Sequence, residues 1–161
     1  MPDNDIAILA GEVLEHLRRS GRRLVTVESC TGGLIGAALS DIPGSSDVLE
    51  GGFITYSNAL KISAVSVPEP VLAQYGAVSL QTAPAMAEGG LLNVVDADIA
   101  VSVTGIAGPV GGSVAKPVGT VCFGLAVRTG LPSVVQCHFA GDRTSIRSQA
   151  VQQALQMVLN A

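Results

Sequence analysis

Ser29, Cys30 and Thr31 stand side by side where an apolar run, LVTVE, gives way to GGLIGAAL. Each carries an oxygen or sulfur that can act as a nucleophile, and Gly32 and Gly33 let a ligand approach the backbone. A Ser between a strand and a helix sits over the helix's free N–H groups, which can stabilise an oxyanion or bind phosphate. The stretch matches neither the hydrolase elbow pattern nor the P-loop pattern. Capping of the helix by Ser29 or Thr31, with Cys30 packed as a small apolar residue, accounts for it equally well without chemistry.

A nucleophilic Ser needs a base. His16 falls in an opening helix and His138 in a strand, and neither has a spaced partner. Lys61 and Lys116 are the only lysines beside seven arginines. A desolvated Lys can be neutral and accept a Ser proton, which Arg cannot. Lys61 follows Tyr56 by about one helical turn and can reach back toward the elbow; its alternative is a solvated helix charge. The Tyr56 hydroxyl can relay a proton or orient the Ser, or simply edge the core. Residues 104–119, TGIAGPVGGSVAKPVG, hold five glycines in sixteen positions, and such a loop can present several N–H groups to an anion. Arg143 lies in the first turn of the last helix, where the dipole disfavours a cation. A bound anion offsets that, as does a salt bridge to Asp142 or another acid.

The elements that must carry these residues follow from periodicity. Residues 3–20 space Ile6, Leu9, Val13, Leu14 and Leu17 as an amphipathic helix, with Asp3 or Asn4 as cap, Gly21 as stop and arginines gathered at its C-terminal end. Strands are expected over 24–28, 52–56, 98–104, 120–127 and 133–139, the last two as a hairpin around RTGLP. Helices are expected over 31–39, 58–64, 69–75, 79–95 and 142–159, with Pro84 in a first turn or at a kink. Helices on both sides of a mostly parallel sheet with one antiparallel strand accommodate this order. Ligands bind beyond the carboxyl ends of strands in such sheets, and 28–33, 56–61 and 104–113 all arrive there.

Composition agrees. The 161 residues suit one domain, 1–161, that buries roughly two thirds of its unfolded surface. The chain is 48% apolar but 3% aromatic, so the core is built from Val, Ile, Leu and Ala. A net charge of −4 with scattered cations argues against a nucleic-acid partner. No apolar run reaches the roughly 18 residues that a membrane span needs. The N-terminus lacks the basic and apolar regions of a signal peptide. Cysteines at 30, 122 and 137 have no metal or redox spacing, so reduced thiols and a cytoplasmic location are expected. Low aromatic content with positive mean hydropathy leads us to expect self-association.

ESCTGG at 28–33, GGFITYSNALK at 51–61, GAVS at 76–79, SVTGIAGPVGGSVAKPVGTV at 102–121 and FAGDR at 139–143, in this order, resemble the CinA C-terminal domain family. That family is named for competence and damage-inducible proteins and includes nicotinamide-nucleotide amidases. Ala115 stands where the family often has an acid, and Val110 where Asp or Gly is expected. The resemblance implies a three-layer α/β/α sandwich with a mixed, mostly parallel sheet, in a stand-alone form. It also implies hydrolysis of the carboxamide of nicotinamide mononucleotide to nicotinate mononucleotide and ammonia. Ser29 is similar to the family's nucleophile, with Lys61 and Tyr56 as its activating partners. The expected substrate-binding set is Cys30, Thr31, Gly32, Gly33, Thr104, Gly105, Gly108, Gly111, Gly112, Ser113 and Arg143. The partner is a small nucleotide; no metal or cofactor is expected, because the pyridinium charge itself makes the carboxamide electrophilic. Amide hydrolysis on another small molecule, or a non-catalytic nucleotide-binding or regulatory module, uses the same residues.

Overall fold

Every position of the first strand, Leu24–Glu28, is buried, so it needs cover on both faces, and the chain supplies a helical layer for each. The computed structural model describes residues 3–161; residues 1 and 2 of the expected domain lie outside the described residues. In chain order the elements are α1 (Asn4–Ser20), β1 (Leu24–Glu28), α2 (Leu34–Ser40), β2 (Leu49–Ile54), α3 (Asn58–Val65), α4 (Glu69–Tyr75), α5 (Thr82–Asn93), β3 (Ile99–Gly105), β4 (Thr120–Val127), β5 (Ser133–His138) and α6 (Arg143–Leu159). A short 3-10 turn, Ser45–Asp47, precedes β2.

The sheet order is β2-β1-β3-β4-β5. β1 pairs parallel with β2 and β3, β4 runs antiparallel to β3, and β5 antiparallel to β4. Four strands therefore share one direction and β4 alone opposes them, as the sequence led us to expect. One face packs Leu24, Val101, Val103 and Phe123 against α1, α2 and α6 through Leu14, Leu17, Ile35, Leu39, Ile146 and Leu155. The other face packs Val25, Val27 and Ala100 against α3 and α5 through Val65, Met86, Ala87 and Leu91. Each such large side chain contributes about 1.5–3 kcal/mol when fully buried. α3 and α5 meet closely: a Cβ on Gly89 would lie 1.6 Å from the Val65 carbonyl oxygen. That approach fixes the helix that carries Lys61.

Several boundaries differ from the periodic reading. β2 spans Leu49–Ile54 rather than 52–56, because its register with β1 begins at Leu24↔Leu49, and Gly51 and Gly52 hide the pattern of this exposed edge strand. α5 starts at Thr82 rather than 79; the Ser79 hydroxyl accepts the Thr82 N–H, and Pro84 sits in the first turn. α2 starts at Leu34, not Thr31, and Thr31 does not cap it. Its cap residue is Gly33, with no side-chain cap bond, and Gly32 and Gly33 hold left-handed φ values of 59° and 102°. The carboxylate of Glu28 performs the capping from the preceding strand, accepting the N–H groups of Ile35 (2.9 Å) and Gly36 (3.0 Å). Asp3 and Asp142 cap α1 and α6 as expected.

Candidate active site

The order β2-β1-β3-β4 makes the carboxyl ends of β1 and β3 the point where neighbouring connections leave in opposite directions along the sheet, from β1 toward β2 and from β3 toward β4. A cavity of about 270 Å³ opens there, lined by Ser29 and Cys30, Tyr56 and Lys61, Ala77 and Val78, residues 104–108, Val110, Gly111 and Arg143. Four larger clefts, of about 310–550 Å³, lie elsewhere, the two largest against α1 and α6, and none of the four is lined by a Lys.

Strand alternation sorts the turn. Leu24, Thr26 and Glu28 face α2, so Ser29, the next residue, emerges on the α3 side. Its N–H donates to the Val103 carbonyl at 2.9 Å, and only 8% of it is exposed. From α3, the fully buried Lys61 reaches back, placing Nζ 3.1 Å from Ser29 Oγ, 2.9 Å from the Thr55 carbonyl oxygen and 3.3 Å from the Tyr56 carbonyl oxygen. Among the described residues no carboxylate comes within ion-pair distance of it. Burial therefore lowers the Lys61 pKa from the ordinary lysine value, opposed in part by the nearby Cys30. A neutral amine has two N–H donors and one lone pair. As placed, Nζ donates to Ser29 Oγ and the Ser29 hydroxyl donates to the Tyr56 carbonyl; a neutral amine that keeps its two N–H groups on the carbonyls of Thr55 and Tyr56 can instead offer its lone pair to the Ser29 proton.

Cys30 is a poor rival. Burial pushes its thiol up to about 11, against its own backbone N–H and the Arg147 cation, so the reactive thiolate is scarce near neutral pH. Thr31 is fully buried and donates its hydroxyl to Glu28 at 2.7 Å, so its side chain is not free to attack.

Tyr56 meets Ser29 through its carbonyl oxygen, 3.4 Å from Oγ, and not through its hydroxyl as the sequence suggested. The strand end leaves its side chain exposed, and the hydroxyl accepts a bond from Arg143 Nη2 at 3.1 Å. Arg143 also donates to the Gly108 carbonyl at 2.8 Å, and among the described residues it has no carboxylate partner. Thr104 donates its hydroxyl to the Ala77 carbonyl at 2.7 Å, which ties residues 76–79 to the end of β3 as a cavity wall. Of the expected binding residues, Cys30, Thr104, Gly105, Gly108, Gly111 and Arg143 line the cavity, whereas Thr31, Gly32, Gly33, Gly112 and Ser113 do not. Ser113 instead accepts the Lys116 N–H within its own loop. His16 bonds to Arg22 and the Ala161 carbonyl, and His138 to Thr120 and Gln136; neither reaches the cavity.

Two residues escaped the sequence reading. Glu28 was visible as a carboxylate closing an apolar strand just before a helix. Arg147, whose Nε and Nη2 donate to the carbonyls of Cys30 (3.0 Å) and Thr31 (3.3 Å), left only a weaker trace, a cation one turn beyond Arg143 beside the buried Ile146 and Ala150. Among the described residues no group of His, Cys, Asp or Glu is placed to hold a metal, and no helix is long and apolar enough to cross a membrane.

A family model described as the CinA C-terminal domain matches residues 6–161. The chain is 46% identical over 156 residues to the nicotinamide-nucleotide amidohydrolase PncC of Escherichia coli K12, covering 97% of this chain and 94% of that protein. It is also 45% identical to a CinA-like protein of Akkermansia muciniphila, covering 96% of this chain but 37% of that longer relative. The solved structure of the competence/damage inducible protein CihA from Agrobacterium tumefaciens superposes with a TM-score of 0.96 at 43% identity, over 100% of this chain and 99% of that one.

Proposed function

The chain belongs to the CinA C-terminal domain family, and from that premise we propose that it hydrolyses the carboxamide of nicotinamide mononucleotide to nicotinate mononucleotide and ammonia. The observation that carries the reading is the 3.1 Å contact between Ser29 Oγ and the buried, carboxylate-free Lys61 Nζ at the sheet's switch point. Relatives named nicotinamide-nucleotide amidohydrolase at this identity supply the substrate.

In the first half-reaction Ser29 Oγ attacks the carboxamide carbon while its proton passes to the lone pair of Lys61. The carbonyl π electrons move to oxygen, and the N–H groups of Cys30 and Thr31 receive that oxyanion. Collapse expels ammonia, which takes the proton from Lys61. In the second, water gives its proton to Lys61 and attacks the acyl carbon, and Ser29 leaves with that proton. The substrate's pyridinium charge near Lys61 further disfavours an ammonium there and so keeps the base neutral. Arg143, cationic and free of a carboxylate, is assigned to the 5′-phosphate, with the Tyr56 hydroxyl steadying its guanidinium.

Ammonia release from nicotinamide mononucleotide by purified wild type, Ser29→Ala and Cys30→Ala tests the reading. Ser29→Ala is expected to bind the nucleotide without turnover, and Cys30→Ala to retain turnover. Loss of activity in Cys30→Ala with retention in Ser29→Ala would reverse the assignment. Binding of the nucleotide by the wild type without ammonia from it or from other small amides would make the chain a binding module.

A further inference from the structure

An oxyanion needs donors, and the start of α2, the obvious supply, is occupied: Glu28 takes the N–H groups of Ile35 and Gly36. Within the turn, the N–H of Ser29 is bound by Val103, that of Gly32 by the Ser29 carbonyl, and that of Leu34 by the Thr31 carbonyl. Among the described residues the N–H groups of Cys30 and Thr31 have no partner beyond the Cys30 N–H's contact with its own thiol, although these residues are 6% and 0% exposed. The Gly33 N–H is also unpaired among the described residues, but Gly33 is only half-buried, where solvent can pair it. Unpaired donors at buried positions are costly and rare, and such groups mark places where a ligand completes the bonding.

Arg147 explains what holds the Thr31 N–H open. A trans peptide directs its carbonyl and the following N–H to opposite sides. With the Cys30 carbonyl drawn to Arg147 Nε, the Thr31 N–H is turned away from α6. Arg147 itself faces a different cleft, of about 550 Å³, lined by α1, α2 and α6, and is absent from the lining of the Ser29 cavity. Donation from a guanidinium also polarises the Cys30–Thr31 peptide it binds, which strengthens the Thr31 N–H as a donor.

Resting on the amidase reading above, we infer that Arg147 is a positioning residue: from behind the turn it fixes the Cys30–Thr31 peptide so that the Thr31 N–H joins the Cys30 N–H in receiving the tetrahedral oxyanion formed on Ser29. It never touches substrate. Its removal therefore weakens the transition state more than the bound substrate.

The test uses the full chain with Arg147→Ala, Arg147→Gln and Arg147→Lys. The readouts are kcat and KM for nicotinamide mononucleotide, and affinity for pyridine-3-boronic acid. In the boronic acid adduct Ser29 Oγ bonds to boron, its proton goes to Lys61, and the tetrahedral boronate carries the negative charge, which boron-11 NMR reports. Loss of an oxyanion donor typically costs about 10²–10³ in kcat, so an indirect loss through Arg147→Ala is expected to lower kcat by about tenfold to a hundredfold. KM should stay within about threefold, and boronate affinity should fall by the same factor as kcat. Arg147→Gln, with a donor but no charge, and Arg147→Lys, with the charge but no planar fork, are expected to lie between Ala and wild type. Should Arg147→Ala lose cooperative unfolding, these two decide by the same criteria. A variant with wild-type kcat and boronate affinity, or one that raises KM alone, overturns the inference. Wild type that forms the tetrahedral adduct but releases no ammonia refutes the amidase substrate, while the boronate series still decides Arg147. Wild type that neither forms the adduct nor releases ammonia overturns both.

Discussion

Replacing Lys61 with Met separates its charge from its shape, and pH then exposes the cost of burying it. The side chain is 1% exposed and faces the carbonyls of Thr55 and Tyr56 and the Ser29 hydroxyl, without a carboxylate. Met leaves the buried Thr55 carbonyl unpaired, at about 1–3 kcal/mol, and the more open Tyr56 carbonyl at less. Against this, wild type must bury an ammonium wherever the amine is protonated. Because the folded pKa lies below the unfolded lysine value, between the two the unfolded chain holds a proton that the native chain lacks, and native stability rises with pH. Relative to Lys61→Met, wild type should gain up to about 1.4 kcal/mol per pH unit across that window, which closes near the unfolded lysine pKa of about 10.4. Below the folded pKa the advantage is at its smallest. Urea unfolding of both proteins at intervals from about pH 6 to 10 measures the difference directly. The same lowered pKa predicts an ascending limb in kcat/KM below the ordinary lysine range, with the Met variant slower by about 10²–10⁴. A stability difference independent of pH across this range would falsify the neutral-lysine argument.

Glu28→Gln removes a charge-assisted acceptor and turns an amide NH₂ toward one of the four groups that now donate to it, from Thr26, Thr31, Ile35 and Gly36. It should cost about 2 kcal/mol or more, and so lower the melting temperature by roughly 4–8 °C; an unchanged melt would show that α2 does not depend on the strand carboxylate. Arg143→Ala should raise KM for nicotinamide mononucleotide by about tenfold or more, as expected for a bond to a charged group, and leave KM for the phosphate-free riboside unchanged. Equal effects on both substrates would remove Arg143 from the phosphate site.

The sequence by itself determined much of the frame. Apolar periodicity located α1 and α6 with their Asp3 and Asp142 caps, and buried runs located β1, β3 and β4, because these elements hide a face large enough to print a pattern. The rarity of lysine and a hydroxyl at a strand end made Lys61 and Ser29 candidates, and the family resemblance chose Ser29 among its neighbours. What tertiary structure alone decided are contacts between elements far apart in the chain, for which no local spacing exists. Lys61 is unusual because parallel pairing of β2 with β1 and the closeness of α3 to α5 bury it among carbonyls. Tyr56 points its hydroxyl to Arg143 rather than to Ser29 because β2 ends two residues before it and frees its side chain. The nucleophile's turn is shaped from two sides, by Glu28 next to it in the sequence and by Arg147 more than a hundred residues away. Both act on backbone groups, and backbone groups leave no mark on the residue pattern of the segment they belong to.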